Sequence, residues 1–255
     1  MAHLLIIELP GGNDTDILEA AVRKGHSFTF LTQDLSVYEK NSKVYEWVKY
    51  SNEIIQSPSF EYEVIEKAVL DCHSKHKFDG LICLLDIRLI EASKLASKLG
   101  VKYLNVDSAI LLRDKFNVRK RLKECGIQQP KFALATTNDE IKIAIDSVGL
   151  PVLMKPSDGY GSQNILTIET EDDLEMARDS LDHLLPIAAD YGLGVRSNDR
   201  LLIEQFMRGV LIGCDVFTLN GKHQLLGMNE KLMFAPPSFA IRGGCFLPNK
   251  GDWVN

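Results

Sequence analysis

Apolar residues in the first hundred positions alternate between short continuous runs and helical spacing. Such runs are typical of buried strands, and a spacing of three to four residues is typical of helices with one buried face. The predicted strands are Leu4–Ile7, Ser27–Thr32, Gly80–Leu85 and Val101–Leu104. The predicted helices run from Asp14 or Thr15 to Arg23, from Tyr62 to His73, and from Leu89 to Leu99. Because strands that alternate with helices form parallel sheets, we expect a Rossmann-like α/β domain over residues 1–106.

The pattern of strand and helix signals changes after Asp107. Predicted helices cover Ser108–Lys123, Asp139–Val148 and Asp172–Leu185. Predicted strands cover Phe132–Ala135, Pro151–Lys155, Ile165–Ile168, Leu201–Met207, Ile212–Leu219 and His223–Met228. Gly221 lies between the last two strands and indicates a hairpin turn. The change of pattern predicts that a second domain begins near residue 107.

Composition limits the possible classes of function. The chain has 255 residues, of which 45% are hydrophobic and 25% charged, and these values are ordinary for a soluble globular protein. Its net charge of −6 lacks the basic excess of nucleic-acid-binding proteins. No stretch approaches the roughly 20 apolar residues of a membrane span. Five cysteines without a CxxC pair favour neither a disulfide framework nor a zinc site. We therefore expect a soluble cytoplasmic protein that binds neither nucleic acid nor a membrane.

Two glycines follow the first predicted strand, at Gly11 and Gly12. They do not complete the GxGxxG pattern of dinucleotide-binding proteins. They indicate either a tight turn or a helix N-terminus that faces an anion. Nicotinamide binding is therefore a weak alternative.

The most informative stretch runs from Gly149 to Ser162 and reads GLPVLMKPSDGYGS. Its lysine, Lys155, ends an apolar strand just before a glycine-containing loop. A fixed cation beside flexible backbone N–H groups can hold a polyphosphate. On its own, however, a lysine at a strand end is often a surface charge, and a Gly-Tyr-Gly turn is often a plain hairpin. We also expect the loop from Asp158 to Ser162 to be mobile without a ligand, as a lid over phosphates must open.

A second stretch, from Leu201 to Gly209, reads LLIEQFMRG. The apolar strand carries Glu204 and is followed by two apolar residues and a turn. Adenine needs a flat apolar slot with backbone acceptors and donors, which a connecting strand of this kind supplies. The alternative is an edge strand with one solvated glutamate. A third stretch, Leu112 to Lys115, opens a helix and either brings a second cation to the phosphates or forms an exposed charged helix start.

In their order and spacing these stretches resemble the ATP-grasp superfamily, and the resemblance covers nearly the whole chain. Among its members the chain is most similar to carboxylate–amine ligases that act on amino acids. The residues that carry this closer similarity are GMNEK at 227–231, Pro236–Pro237 and FAIRGG at 239–244. The resemblance implies a Rossmann-like preceding domain at 1–106, a first ATP-grasp subdomain at 107–200, and the start of a second subdomain at 201–255.

The resemblance also implies roles for individual residues. Lys115 and Lys155 would contact the phosphates of ATP, and Arg242 would neutralise the carboxylate or the acyl phosphate, although a surface salt bridge is an equal alternative for it. The lid over the phosphates would consist of Gly159, Tyr160, Gly161 and Ser162. The adenine would meet Glu204, the backbone of Gln205 and the Met207 amide, between walls formed by Val152, Met154 and Phe206.

Three features depart from the family pattern. The loop has fewer glycines than in many members, and Leu211 stands where an acid often contacts ribose. Family members bind Mg²⁺ through acids and an asparagine in a Glu-x-Asn-Pro context, and the chain ends at Asn255 without such a segment. Glu230 could supply one ligand at most, or pair with Lys231. We therefore expect the metal ligands to lie outside this chain, and apolar surface of the second subdomain to be uncovered.

The expected function is ATP-dependent ligation of a carboxylate to an amine through an acyl phosphate, forming a peptide or amide bond. The expected cofactors are ATP and Mg²⁺, the expected substrates are small molecules such as amino acids, and a homodimer is possible. The alternative is a non-catalytic remnant that binds a nucleotide or a partner.

Overall fold

The computed structural model describes residues 1–9, 15–161, 164–175, 200–234 and 241–247. These residues belong to two units, which divide between Cys125 and Gly126. Residues 107–125, which the sequence pattern grouped with the second domain, lie in the first unit. Asp14, Gly11 and Gly12 lie outside the described residues, as do Ser162, Pro236–Pro237 and Asn255.

A parallel four-stranded sheet forms the centre of the first unit, with the strand order β3-β2-β1-β4. The strands are β1 (His3–Ile7), β2 (Ser27–Thr32), β3 (Glu53–Gln56) and β4 (Gly80–Cys83). Ile6 of β1 pairs with Phe30 on one side and Ile82 on the other. The Rossmann-like α/β architecture expected from the sequence is confirmed.

Helices connect the strands of this sheet. They are α1 (Asp16–Arg23), α2 (Ser36–Glu39), α3 (Ser42–Val48), α4 (Tyr62–Lys75), α5 (Leu89–Leu99), α6 (Val106–Arg113) and α7 (Lys115–Glu124). Helix α5 shows why the periodicity was informative, since Ala92, Leu95 and Ala96 are all buried on one face. It ends at Gly100, whose φ of 70° is left-handed and favours glycine.

Two of the sequence predictions in this unit are wrong. Val101–Leu104 is not a strand, because it connects two helices: the Tyr103 hydroxyl donates to the Cys83 carbonyl (3.0 Å), and Asn105 caps α6. Ser108–Lys123 is not one helix, because Asp114 adopts an extended conformation between α6 and α7. Its side chain accepts a hydrogen bond from the Asn117 amide at 3.0 Å and so starts a new helix.

The second unit begins with a four-stranded sheet of order β5-β8-β6-β7 in which every pair is antiparallel. Its strands are β5 (Phe132–Ala135), β6 (Val152–Pro156), β7 (Leu166–Ile168) and β8 (Leu201–Gln205). Helix α8 (Asn138–Val148) packs on one face, where Ile141, Ile145 and Val148 join Met154 and Ile203 in a buried core. Residues 171–175 are helical, and the rest of the predicted helix to Leu185 lies outside the described residues.

A three-stranded antiparallel sheet follows, formed by β9 (Ile212–Leu219), β10 (Lys222–Met233) and β11 (Ile241–Leu247). Asn220 and Gly221 both have positive φ, at 51° and 74°, as a two-residue hairpin turn requires. Several large apolar side chains of this sheet are exposed: Val216, Phe217, Leu219, Leu225, Leu226, Leu232, Ile241 and Phe246. The uncovered apolar surface expected from the sequence is therefore present.

This exposed apolar surface predicts self-association. Val216 is 52% exposed and lies opposite Leu225 in the sheet, so a charge at this position should oppose burial of the surface against a second copy. We expect sedimentation velocity to show concentration-dependent association of the parent chain and a more monomeric Val216→Lys variant. Equal association of the two proteins would exclude this part of the sheet as the contact.

The five thiols are all unpaired, but they differ in accessibility. Cys72 and Cys83 are buried, whereas Cys125, Cys214 and Cys245 are exposed. Burial raises the pKa of the Cys83 thiol to about 12 and also raises the pKa of Cys72. We expect a colorimetric thiol reagent at pH 8 to titrate the three exposed cysteines in the native protein and all five in denaturant. Rapid native reaction of a fourth thiol would contradict this.

Among the described residues, no helix is both long enough and apolar enough to cross a membrane.

Candidate functional site

The two faces of the β5-β8-β6-β7 sheet differ in character. One face carries the core against α8, including Val152, Met154 and Ile203. Because side chains alternate along a strand, the opposite face carries Leu153 and Lys155 of β6 and Glu204 of β8. Leu153 pairs directly with Glu204 across the two strands. This second face, termed the lysine face below, holds the predicted charged residues of the second unit's first sheet.

Lys155 and Glu204 contact each other on the lysine face. The Lys155 Nζ donates to the Glu204 Oε1, and both side chains are largely buried, with exposures of 17% and 6%. Two residues predicted separately from two sequence stretches are thus brought together across neighbouring strands. The contact holds the ammonium in place, because a buried charge requires a partner of opposite sign.

Val152 and Met154 do not lie on the lysine face. They are 0% and 1% exposed and pack in the core beneath α8. The predicted walls of the adenine slot therefore need revision, since a base bound beside Lys155 would meet Leu153 instead. The alternation of the strand identifies Leu153 from the sequence, because it lies two residues before the lysine.

The segment after β8 is fixed by backbone hydrogen bonds. The Gln205 amide donates to the Lys131 carbonyl (2.9 Å), and the Phe206 amide donates to the Pro151 carbonyl (3.0 Å). Phe206 is half-buried, whereas the Met207 side chain is 65% exposed. The strand ends at Gln205, so the predicted contacts of Phe206 and Met207 would come from the connection that follows it.

The loop after β6 begins with a buried hydroxyl that the sequence did not single out. Ser157 is fully buried, and its amide donates to the Arg200 carbonyl at 2.8 Å. Its Oγ atom has no hydrogen-bond partner among the described residues. Buried hydroxyls are rarely left unbonded, so this atom is an exception next in the chain to the strand that carries Lys155.

The predicted lid is described only in part. Gly159, Tyr160 and Gly161 follow the loop start, and the Gly159 amide donates to the Pro156 carbonyl at 3.1 Å. Gly161 has a φ of 65°, in the left-handed region that favours glycine. Mobility of the loop stays a prediction.

Two of the predicted cations do not belong to the lysine face. Lys115 is the first residue of α7 and belongs to the first unit. Arg242 is an exposed residue of β11. The pairing of β11 with β10 shifts between Leu232 and Met233, so Arg242 is the extra residue of a β-bulge. Bulges redirect side chains and are common beside active sites.

Glu230 and Leu211, at two positions where the family pattern raises a question, both lie by the second antiparallel sheet. Glu230, the candidate metal ligand, lies in β10 opposite Ile212 of β9. Leu211, at the position of the expected ribose contact, is half exposed, and its carbonyl accepts a hydrogen bond from the Lys231 amide at 2.8 Å. Within the described ranges, no three His, Cys, Asp or Glu side chains are grouped as a metal site. No Mg²⁺ ligand is therefore assigned to a described residue.

Part of the chain matches a known protein family. Residues 148–243 match the family described as the ATP-grasp domain, a range that includes Lys155, the glycine loop and Glu204. The L-arginine-specific L-amino acid ligase of Bacillus subtilis is 22% identical over 194 residues, covering 75% of this chain and 45% of the relative. The chain thus spans less than half the length of this curated relative.

Solved structures agree in fold. An L-amino acid ligase from Bacillus licheniformis superposes with a TM-score of 0.69 at 20% identity, over 91% of this chain and 50% of that one. The biotin carboxylase domain of Hydrogenobacter thermophilus 2-oxoglutarate carboxylase, solved as a dimer with MgADP, ADP and bicarbonate, gives 0.69 at 16% identity, over 94% and 52%. A Rossmann-like unit followed by these two antiparallel sheets defines the class of fold that ATP-grasp proteins have. Residues 148–243 thus match the ATP-grasp domain, and the chain resembles ATP-grasp carboxylate–amine ligases.

Proposed function

We propose that the chain is the nucleotide-binding part of an ATP-dependent carboxylate–amine ligase. The observation that carries the proposal is the lysine face, where Lys155 contacts its partner Glu204, together with the unbonded hydroxyl of Ser157 two residues after Lys155. All three residues lie within the ATP-grasp match. A fixed cation beside an unsatisfied hydroxyl suits a phosphate chain. The names of the amino acid ligases among the relatives support small carboxylate and amine substrates, and amino acids in particular.

The predicted residues other than Val152 and Met154 keep a proposed role on this basis. Lys155 and Lys115 neutralise phosphates, Ser157 donates to a phosphate oxygen, and Gly159, Tyr160, Gly161 and Ser162 cover the phosphates. Glu204, Gln205 and Met207 meet the edge of the adenine, and Leu153 and Phe206 contact its faces. Arg242 neutralises the substrate carboxylate.

The proposed reaction has two steps. A carboxylate oxygen attacks the terminal phosphorus of ATP, and ADP leaves, which gives an acyl phosphate. An amine then attacks the acyl carbon, phosphate leaves, and the nitrogen loses a proton to give an amide. The chain's own residues position the groups and neutralise charge, without a covalent nucleophile. Mg²⁺, when bound, would add positive charge at the terminal phosphates.

Isothermal titration calorimetry with ADP, GDP and NAD tests the binding part of the proposal. We expect ADP to bind and NAD not to bind, since the dinucleotide pattern is absent from the sequence. A coupled assay of ADP release with mixed amino acids tests the chemistry separately. ADP binding without turnover would favour the non-catalytic alternative for this chain, and no ADP binding would overturn the proposal. Cytoplasmic location and a homodimer stay predictions.

A further inference from the structure

A second cleft lies at the carboxyl edge of the parallel sheet in the first unit. Gln33 follows β2 directly, Phe60 follows β3, and Arg88 follows β4. The cleft that these residues line has a volume of about 520 Å³, a size typical of small-molecule sites. Ligands of open α/β sheets bind outside the carboxyl ends of the strands, near the point where the strand order reverses. In this sheet that point lies between β1 and β4.

A buried arginine forms the floor of the cleft. Arg88 is only 3% exposed, its guanidinium carbon lies 3.7 Å from the centre of the Phe60 ring, and Nη2 donates to the Gln33 Oε1 at 3.2 Å. The stacking on the Phe60 ring and the hydrogen bond to Gln33 both restrain the plane of the guanidinium. A fixed guanidinium matches the two oxygens of a carboxylate.

A buried glutamate behind the arginine contributes a further charge. Glu8 is 1% exposed and accepts hydrogen bonds from the Tyr38 hydroxyl, the Thr32 hydroxyl (3.2 Å) and the Gln33 amide (2.9 Å). These three hydrogen bonds fix the position of the carboxylate. Gln33 therefore links the glutamate to the arginine and keeps the floor of the cleft rigid.

The rim of the cleft carries charges of both signs. Lys94 and Glu91 lie one turn apart on α5, and Glu61 and Glu63 lie at the start of α4. The Lys94 ammonium lies 5.0 Å from the centre of the Tyr62 ring. The two cations of the lining offer contacts to a carboxylate, and the three glutamates offer contacts to an ammonium group, so a ligand with both charges can use both sets.

We propose that this cleft binds a free α-amino acid. The ligand carboxylate lies against Arg88 and Lys94, and its ammonium group lies against Glu91 and Glu61. The role of this site rests on the proposed function, because an amino acid is a substrate of the proposed ligase reaction. The cleft would then hold or select that substrate in the first unit.

Saturation-transfer NMR on the whole chain tests this with L-alanine, propionate and ethylamine at equal concentrations. The two analogues each keep one of the charges of alanine. We expect signal from alanine and little from the analogues. Glu91→Gln and Lys94→Gln should each weaken alanine binding about tenfold, because each removes a charged contact at a partly exposed rim. These rim residues are chosen because replacing buried Arg88 risks misfolding.

Lys98→Gln is the matched control. Lys98 lies on the same helix but points to Glu66, with a nitrogen–oxygen distance of 3.3 Å, and it does not line the cleft. Equal binding of the analogues, or binding that survives both rim substitutions, would overturn the proposal, as would an equal loss in Lys98→Gln. ADP calorimetry on the same samples separates the two proposals. ADP binding without alanine binding removes only the amino-acid site, and the reverse result removes only the nucleotide site.

Discussion

Replacing Lys155 by alanine is expected to weaken ADP binding about tenfold to a hundredfold. A hydrogen bond between charged groups contributes about 1.5–3 kcal/mol, which corresponds to this loss. The side chain is only 17% exposed, so solvent would screen its contact with phosphate weakly. The effect should be larger for ADP than for adenosine, because adenosine lacks the phosphates.

Calorimetry with ADP and adenosine on the parent and the variant measures this difference. Lys142→Ala is the control, since Lys142 is an exposed lysine on α8, on the other side of the same sheet. Unchanged ADP affinity in Lys155→Ala would remove this residue from the nucleotide site. An equal loss for ADP and adenosine would assign it a structural role instead.

Lys155→Met should lower the free energy of unfolding by about 3 kcal/mol or more. The substitution leaves the Glu204 carboxylate, 6% exposed, without its ammonium partner, and breaking a buried ion pair typically costs about 3–5 kcal/mol. Glu204→Gln should cost less, because the long lysine side chain can turn its ammonium towards water.

The double variant measures the interaction between Lys155 and Glu204 separately from their contacts with other residues. We expect Lys155→Met with Glu204→Gln to be more stable than the sum of the single losses predicts, with a coupling of about 1–3 kcal/mol. Urea unfolding followed by circular dichroism measures all four proteins. Additive losses would show that the two side chains do not stabilise each other. The same curves define conditions under which the Lys155 variants are folded for the binding experiment.

Local patterns in the sequence predicted many of the regular elements, but not helices α2 and α3 or strands β3 and β11. Helix α5 was predicted with its observed bounds, Leu89–Leu99, because both its apolar face and its terminal glycine are local signals. The break at Asp114 was missed, since the helical spacing continues through it and only the capping contact with Asn117 shows it. Val101–Leu104 was mistaken for a strand because a short apolar run does not reveal whether it has a strand to pair with.

The site was predictable in part. The sequence stretches identified Lys155 and Glu204, but their contact depends on the pairing of β6 with β8, which no local pattern encodes. Val152 and Met154 were predicted as walls of the adenine slot, although strand alternation places them on the face opposite Lys155, where they pack in the core under α8. Ser157 carries no sequence signal, since its unbonded hydroxyl depends on its complete burial.

The two-residue turn at Asn220–Gly221 has a consequence for the order of folding. It joins β9 to β10 directly, so these strands can pair within microseconds of chain collapse, as hairpins do. Lys155 and Glu204 are 49 residues apart, and their strands can pair only after a much longer loop has closed. We therefore expect amides of the hairpin to gain protection in pulsed hydrogen exchange before those of β6 and β8. The lysine face would then be among the last parts of the second unit to form, and a newly made chain would expose its apolar hairpin before that face is complete.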